Sequence, residues 1–165
     1  MDILPIQNVF QPEHWDYIDN KLSQDNWGFG QTSIVGEGYP FWIMYLKDDP
    51  FFTEILPEVI WQECGKRFAV DDVYANGQTF GLGGDFHQDH SDYTFLIYAN
   101  SEWDVLWGGR TLFKEGLEDN NPLAITPLPR SAVLFNSKIY HYAESPTREC
   151  TTLRKTIAYK LINED

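Results

Sequence analysis

Two histidine–carboxylate pairs lie next to each other in the stretch HQDHSD. They are His87 with Asp89 and His90 with Asp92. On an extended backbone, residues i and i+2 project from the same face, so an imidazole and a carboxylate at this spacing can bind one metal ion. Taken alone, such a triplet is more typical of solvated loop residues, because it also arises by chance.

The neighbouring elements distinguish the two pairs. Asp92 directly precedes an alternating, mostly apolar run at residues 93 to 100, which predicts a buried strand. His87 and Asp89 fall at the end of the preceding extended segment, which leaves residues 90 to 92 to form the turn. We therefore assign the metal-binding pair to His87 and Asp89.

A third metal ligand is available far along the chain. His141 follows a predicted strand at residues 131 to 136 and a short loop, and the closing strands of a jelly roll can bring it beside the first pair. Two histidines and one carboxylate on one face leave the remaining positions of an octahedral ion open, as in non-haem Fe(II) oxygenases. A lone histidine is more often structural, but this chain has only four, and two of them fall at the positions that this site needs.

An anion site is predicted near the C-terminus. A strand at residues 152 to 162 places Arg154, Thr156 and Ala158 on one face and mainly apolar residues on the other. The apolar face would pack against helices, so Arg154 would point inward, where an arginine requires an anion. Tyr98 points inward by the same reasoning, and a guanidinium and a phenol can together hold a carboxylate. Ordinary core packing explains Tyr98 equally well.

Composition limits the class of protein. A chain of 165 residues with 42% hydrophobic and 16% aromatic residues can fold as one domain despite its formal charge of -13. Twelve basic residues against 25 acidic ones argue against a nucleic-acid groove. The sequence shows no signal-peptide pattern and no apolar run long enough for a bilayer. We predict a cytoplasmic protein with a small-molecule or peptide substrate and no membrane partner.

Two cysteines, Cys64 and Cys150, are present. Cys64 falls in an amphipathic helical stretch and Cys150 in a polar loop, and their spacing matches no metal or redox motif. The sequence therefore favours two reduced structural thiols over a disulfide or a zinc site.

The elements that position these residues follow from the apolar periodicity. Helical spacing runs from residue 13 to about residue 25, and a second helix should begin at Asp48-Asp49-Pro50 and break or kink at Pro57. After residue 67 the pattern changes to strands, with two extended segments around Gly77. Helices first and strands afterwards predict an α+β protein, with an all-β sandwich or barrel core backed by N-terminal helices.

The chain is predicted to form a single domain over residues 1 to 165. Residues 1 to 68 would supply the helical support and the first strands, and residues 69 to 165 the metal-binding core. An aromatic cluster in the first part admits two interpretations, a substrate mouth or the hydrophobic core, and the core is favoured. Its members are Tyr39, Phe41, Trp42 and Tyr45.

Five ordered features together resemble the prolyl 4-hydroxylase branch of the Fe(II)/2-oxoglutarate dioxygenases. The features are H-x-D at residues 87 to 89, TFLIYAN, W-G-G-x-T-x-F at 107 to 113, P-x-x-x-x-A-V-L-F at 127 to 135, and His141 followed by R-x-x-x-A-Y-K at 154 to 160. The similarity covers roughly residues 70 to 162, and its specificity lies in the order of the features rather than in any single motif.

The resemblance implies a double-stranded β-helix, or jelly roll, in which His87, Asp89 and His141 hold Fe(II). It implies consumption of 2-oxoglutarate and O2, release of succinate and CO2, and hydroxylation of an unactivated C–H bond, with ascorbate as a candidate reductant. A prolyl peptide, an amino acid and another small metabolite all remain open as substrates. Asp89 fills the place that related halogenases leave open for halide, which favours hydroxylation.

The resemblance also implies a set of cosubstrate-binding residues. Arg154 would pair with the distal carboxylate of 2-oxoglutarate, with Tyr98 as its hydrogen-bonding neighbour. Tyr74 would touch the cosubstrate or the substrate, and Thr156 joins this set because it shares the face of Arg154.

Three departures from the family pattern bear on this assignment. The segment that leads to the H-x-D motif is longer than in the family's Y-x-x-G-x-x-Y-x-x-H, which can displace Tyr74. Arg110 stands where the family commonly has Glu in G-G-E-T. Arg148 competes with Arg154 as the anion partner, although its loop position predicts a solvated side chain.

Two other functions stay open. One is a nucleobase-oxidising dioxygenase of the same cofactor class, since H-Q-D also occurs in alkylation-repair dioxygenases. The other is a metal-free jelly-roll binding module. Substrate specificity is assigned to loops around the mouth at residues 28 to 45, 76 to 86 and 101 to 106, and the oligomeric state cannot be read from the sequence.

Overall fold

Strands dominate the chain after residue 67, as the sequence pattern predicts. The computed structural model describes residues 2–164. Within that range the helices are α1 (Pro12–Leu22) and α2 (Leu56–Cys64), with a π-helical turn at Phe51–Ile55 and a 3₁₀ turn at Val105–Trp107. The strands are β1 (Ile3–Ile6), β2 (Gly28–Gln31), β3 (Phe41–Tyr45), β4 (Phe68–Gln78), β5 (Tyr93–Tyr98), β6 (Thr111–Lys114), β7 (Leu123–Ile125), β8 (Ala132–Asn136), β9 (Tyr140–Ala143) and β10 (Arg154–Asn163).

The strands form two antiparallel sheets. The larger sheet has seven strands in the order β1-β8-β5-β10-β4-β3-β2, and the smaller has the order β7-β6-β9. Strands that are distant in the chain are therefore neighbours in space, as β10 is with both β4 and β5. This mostly β architecture with two helices confirms the predicted α+β class and its jelly-roll core.

One face of the larger sheet packs on the helices, and its opposite face lines a cavity. Along the central strands, residues that face the helices alternate with residues that face the cavity, because successive side chains of a strand point to opposite faces. The residues that pack against the helices include Val73, Ala75, Phe95, Ile97, Ile157, Tyr159 and Leu161. The predicted facing of the strands that carry Arg154 and Tyr98 is thus confirmed.

The predicted interruption of the second helix is also present. The π-helical turn precedes α2, and Pro57 lies in the first turn of α2, where its missing N–H costs no intrahelical bond. Asp49 begins this region by accepting hydrogen bonds at its backbone oxygen from the N–H groups of Phe52 and Thr53. The first helix ends at Leu22, earlier than the predicted residue 25.

Gly77 lies inside β4, so the prediction of two extended segments around it is wrong. It pairs with Trp42 and with Lys155 in the neighbouring strands. A Cβ at this position would lie 3.0 Å from Leu153 Cδ2 and 3.1 Å from both Trp27 Cζ3 and Trp42 Cβ, so the glycine makes room for packed side chains rather than for a turn. The chain turns further on, where the Leu82 N–H donates to the Thr79 oxygen at 2.9 Å.

The aromatic cluster is mostly solvent-exposed, which contradicts the favoured core interpretation. Only Phe41 of its four members is buried, whereas Tyr39 and Tyr45 are 67% and 69% exposed. Trp42 instead packs on Phe29 with ring centroids 5.0 Å apart. The cause is that β2 is the edge strand of the sheet and β3 is its neighbour, a position that cannot be read from local periodicity.

Cys64 and Cys150 are free thiols, and burial raises the pKa of the Cys64 thiol to about 11. Within residues 2–164, no helix combines the length and the apolar character needed to span a bilayer. The predicted bounds of the single domain, residues 1 and 165, lie outside the described residues. The predicted division of this domain at residue 68 stays a prediction.

Candidate metal and anion site

The two histidines are brought together by the main chain. The His87 N–H donates to the His141 oxygen at 3.1 Å, and the His141 N–H donates to the His87 oxygen at 3.0 Å. Their ring centroids lie 4.2 Å apart. Each Nδ1 lies within hydrogen-bond distance of a backbone oxygen, that of Asp85 at 2.7 Å and that of Ile139 at 2.9 Å. Such bonds place the proton on Nδ1 and leave the lone pair of each Nε2 for a metal.

Asp89 completes a cluster of three ligand residues. Its Oδ1 lies 3.5 Å from the Nε2 of His87, and its Oδ2 lies 3.3 Å from the Nε2 of His141. One ligand atom from each of the three lies within 4.8 Å of the others. Two imidazoles and one carboxylate are the donor set that suits non-haem Fe(II), so the residues fit this ion.

The structure separates the two H-x-D registers. Asp92 points away from the cluster, since its Oδ2 accepts the backbone N–H of Asn163 at 2.8 Å. His90 is exposed at the cavity mouth. Among the described residues it is therefore the first pair that meets His141.

Hydrogen bonds and charge hold Asp89 ionised. The hydroxyl of Thr94 donates to Oδ2 at 2.6 Å, and the ammonium of Lys160 donates to the same oxygen. Burial by itself would raise the pKa of Asp89, but the bonds with His141 and His87 and the charge of Lys160 outweigh burial and lower it far below its usual range. The carboxylate is thus charged and fixed in orientation.

The ionisation of the neighbouring groups also suits a metal. Burial lowers the pKa of His141 more than Asp89 raises it, which favours the neutral imidazole that a metal needs. Burial would lower the pKa of Lys160 as well, but Tyr74 and Asp89 raise it overall, so this lysine is a cation.

Arg154 is fully buried among neutral acceptors. Its Nε donates to the Gly109 oxygen at 2.7 Å, its Nη1 to Gln78 Oε1 at 2.9 Å and its Nη2 to Thr111 Oγ1 at 3.3 Å. No carboxylate of residues 2–164 forms a salt bridge with it. Burial lowers the pKa of Arg154, yet an arginine stays charged in proteins. A buried guanidinium without a counterion is a site for an anion.

One cavity contains both features. Its volume is about 870 Å³, and its wall includes His87, Asp89 and His141 as well as Arg154. This volume lies in the range of roughly 300–1,000 Å³ that is usual for small-molecule sites. The metal cluster and the anion site therefore face one shared space.

Sequence comparison finds no relative, since no protein-family model and no curated protein sequence matches the chain. Solved structures do match. An oxidoreductase of the 2OG-Fe(II) oxygenase family from Burkholderia pseudomallei superposes with a TM-score of 0.76 at 9% identity, covering 99% of this chain and 86% of the other. The prolyl hydroxylase from Trichoplax adhaerens, solved with a peptide fragment of the hypoxia inducible factor oxygen degradation domain, gives 0.74 at 17% identity, with coverages of 98% and 84%. A prolyl-4-hydroxylase from Pseudomonas putida gives 0.68 at 12% identity, with coverages of 99% and 94%.

The chain has the 2OG-Fe(II) oxygenase fold. The fold that the sequence resemblance implied is therefore confirmed. The fold also explains why the motifs are spread along the chain, because they lie on strands that become neighbours only in the folded jelly roll.

Within the 2OG-Fe(II) oxygenase fold, Tyr98 lies behind the cavity wall. Its hydroxyl donates to Thr111 Oγ1 at 2.8 Å, and its ring lies 5.9 Å from the guanidinium carbon of Arg154. Tyr98 and Arg154 therefore share Thr111 as a hydrogen-bond partner. The role of Tyr98 in holding the 2-oxoglutarate carboxylate together with Arg154 stays a prediction. Burial raises the pKa of Tyr98, so its hydroxyl stays a donor.

Tyr74 and Thr156 both line the cavity, so the longer segment before His87 does not displace Tyr74. Arg148 is exposed, as its loop position predicts. Arg110 forms an ion pair with Glu144, whose Oε1 accepts its Nη2 at 2.6 Å.

Several polar residues of the site were missed at the sequence level. They are Lys160 and Thr94 beside Asp89, and Gln78 and Thr111 beside Arg154. The alternation that placed Arg154, Thr156 and Ala158 on one face continues to Lys160, so extending it by one step would have found this residue.

The predicted mouth loops are partly correct. Residues 31 to 35 and Phe86 line the cavity, as do Leu117 and Lys138, which lie outside the predicted loops. None of the described residues 101 to 106 lines it. That segment packs away from the mouth, and its Trp103 Nε1 donates to the Gly108 oxygen at 3.1 Å.

Proposed function

We propose that the protein is an Fe(II)- and 2-oxoglutarate-dependent dioxygenase that hydroxylates an unactivated C–H bond of a small molecule or peptide. One observation carries the proposal: a single cavity joins the His87–Asp89–His141 cluster to a buried Arg154 that has no acidic partner among the described residues. A metal ligand set alone or a buried arginine alone would admit many functions. Their combination suits a cosubstrate that chelates iron at one end and carries a carboxylate at the other.

The metal would be held by the Nε2 atoms of His87 and His141 and by the carboxylate of Asp89. Bound iron and 2-oxoglutarate would supply the oxidative chemistry, in which O2 is consumed and succinate and CO2 are released. The protein fixes the ligand geometry through the backbone bonds between the two histidines and through Thr94, which restrains Asp89.

Arg154 would bind the distal carboxylate of 2-oxoglutarate. Three neutral acceptors fix its guanidinium in place, and a guanidinium has five N–H donors, so donors remain for a carboxylate. Charge-assisted bonds of this kind are roughly twice as strong as neutral ones. Thr156 and Tyr74 belong to the same wall and are placed to contact the cosubstrate or the substrate.

Apolar side chains complete the cavity between the polar groups. Leu96, Phe135 and Ala158 line it beside the metal cluster and the arginine. Such a wall excludes water from the reacting atoms and strengthens the electrostatic contacts of the site. Ascorbate would serve as an external reductant.

The likeness to two prolyl hydroxylase structures supports placement in the prolyl 4-hydroxylase-like branch. The nucleobase alternative is disfavoured by the charge of -13 and by Asp71 and Asp72 in the cavity wall, which would repel phosphates. A cytoplasmic location remains part of the proposal.

Succinate release tests this function without knowledge of the substrate. The protein would be incubated with Fe(II), 2-oxoglutarate, ascorbate and O2, and succinate would be quantified against the variants Asp89→Ala and His90→Ala. We expect slow succinate release from the wild type and from His90→Ala, and none from Asp89→Ala. Equal release from all three proteins, or none from any, would contradict the proposal.

A further inference from the structure

Lys160 is a charged residue inside the cavity that contacts the metal ligand Asp89, and the proposed function gives it no role toward a substrate. Its side chain is 13% exposed, and it lines the same cavity as Arg154. Both residues belong to β10 and share one face, with Thr156 and Ala158 between them. At about 3.3 Å per residue the two Cα atoms are roughly 20 Å apart, so the two cations mark opposite ends of one wall.

The hydrogen bonds of Lys160 leave donor capacity toward the cavity. Its ammonium donates to Asp89 Oδ2 and lies 5.7 Å from the centroid of the Tyr74 ring. An ammonium has three N–H donors. Among the described residues, Asp89 is the carboxylate that pairs with it within 4.0 Å. Asp72 lies opposite in the strand register, but its Oδ1 accepts the backbone N–H of Val73 at 2.9 Å.

The next step rests on the proposed function. With Fe(II) and 2-oxoglutarate in place, the two charges of the metal are balanced by Asp89 and by one carboxylate of the cosubstrate. The other carboxylate balances Arg154. Lys160 is then left with no carboxylate within 4.0 Å among the described residues other than the metal-bound Asp89. A largely buried ammonium without a counterion of its own is costly.

A second lysine is held at the same end of the cavity. Lys138 lies exposed at the mouth, and its Nζ donates to the backbone oxygen of Asp89 at 2.9 Å and of His90 at 3.4 Å. The end of the cavity that holds the metal cluster therefore carries two cations. The volume of about 870 Å³ leaves room for a small acid beside 2-oxoglutarate.

We propose that the prime substrate carries a carboxylate that binds Lys160. This identifies the substrate class as a free amino acid, a small organic acid or the C-terminal end of a peptide, all of which share that group. An internal segment of a peptide, which offers no carboxylate of its own backbone, would leave the charge of Lys160 unmatched.

The test uses acetate as a minimal carboxylate and acetamide as its neutral counterpart. The protein would be loaded with Mn(II) and saturating 2-oxoglutarate, and the relaxation of the probe's methyl protons by Mn(II) would be measured by NMR. Variants would be Lys160→Met, Lys160→Arg and Lys155→Met, the last a control on the same strand whose side chain points to the opposite face. In the wild type, Lys160→Arg and Lys155→Met, we expect Mn(II) to enhance the relaxation rate of the methyl protons at least fivefold more for acetate than for acetamide. In Lys160→Met we expect no such preference.

The outcomes separate this inference from the proposed function. Failure of the wild type to bind Mn(II) and 2-oxoglutarate would contradict the proposed function itself. Normal loading without a preference for acetate, a preference that survives in Lys160→Met, or acetate that binds by displacing 2-oxoglutarate would each overturn the inference alone. If Lys160→Met does not load with Mn(II), Lys160→Gln replaces it, with the same expected loss. Peptides with free and amidated C-termini, measured in the same way, then distinguish a peptide end from a free acid.

Discussion

His87 and His141 exchange both of their backbone hydrogen bonds, at 3.1 and 3.0 Å, although they lie far apart in the chain. This isolated bridge between the segment before β5 and strand β9 places the two imidazoles side by side. Because the bridge is made by main-chain groups, it does not depend on the imidazoles. The histidine side chains are therefore free to serve a metal rather than the fold.

Replacing His87 should leave the fold intact. Its side chain is 17% exposed and its backbone bonds persist in His87→Ala, so we expect the free energy of unfolding to fall by only about 1 kcal/mol or less. Phe135→Ala removes a ring that is 1% exposed and should cost about 3–5 kcal/mol. Urea denaturation followed by circular dichroism measures both. A loss in His87→Ala as large as in Phe135→Ala would show that the imidazole is structural.

Gly109 positions Arg154, and an added methyl group should disturb it. The φ of Gly109 is +65°, and a Cβ there would lie 2.9 Å from the Trp103 ring and 3.1 Å from Arg154 Cδ. We expect Gly109→Ala to lose about 1–2 kcal/mol of stability and to weaken 2-oxoglutarate binding. The matched control is Gly116→Ala, where a Cβ meets no atom within 4 Å. Thermal denaturation and 2-oxoglutarate titration should leave the control unchanged; equal behaviour of the two variants would contradict this role.

Arg154 and Arg148 should differ strongly in their effect on 2-oxoglutarate. Arg154 is buried in the cavity wall, whereas Arg148 is exposed on its loop. Loss of a desolvated charge pair costs about 2 kcal/mol or more, so Arg154→Ala should weaken 2-oxoglutarate binding by at least about 30-fold. Calorimetric titration of the Mn(II)-loaded protein measures this loss. A similar loss in Arg148→Ala would reassign the anion site.

Thr94 should support metal binding through Asp89. Thr94→Val keeps the shape of the side chain but removes the hydroxyl that donates to Asp89 Oδ2 at 2.6 Å. Partners of metal ligands typically contribute about 10–100-fold in affinity, so we expect Mn(II) to bind about tenfold more weakly. Thr151→Val, an exposed position, serves as the control. Unchanged Mn(II) affinity in Thr94→Val would show that Lys160 alone restrains the carboxylate.

The sequence was sufficient for features that depend on strand periodicity. Alternation predicted that Arg154 and Tyr98 face away from the helices, and the structure confirms it. The spacing of His87 and Asp89 and the strand before His141 were likewise enough to select the three residues that the structure brings together.

The errors share a different origin, which is contact between distant segments. Gly77 is required by Trp27 and Trp42, which come from other parts of the chain. Tyr45 is exposed because β3 lies near a sheet edge, and no local pattern reveals an edge. The contact of Lys160 with Asp89 depends on how β10 passes the metal cluster, so its role could be seen only in the folded structure.

Metal stoichiometry tests the central claim most directly. The wild type would be titrated anaerobically with Mn(II), with and without 2-oxoglutarate, beside Asp89→Ala and His90→Ala. We predict one ion per chain in the wild type and in His90→Ala, bound more tightly when 2-oxoglutarate is present, and no stoichiometric binding in Asp89→Ala. A wild type that binds no ion, or an Asp89→Ala variant that binds as well as the wild type, would contradict the assignment of His87, Asp89 and His141 as a metal site.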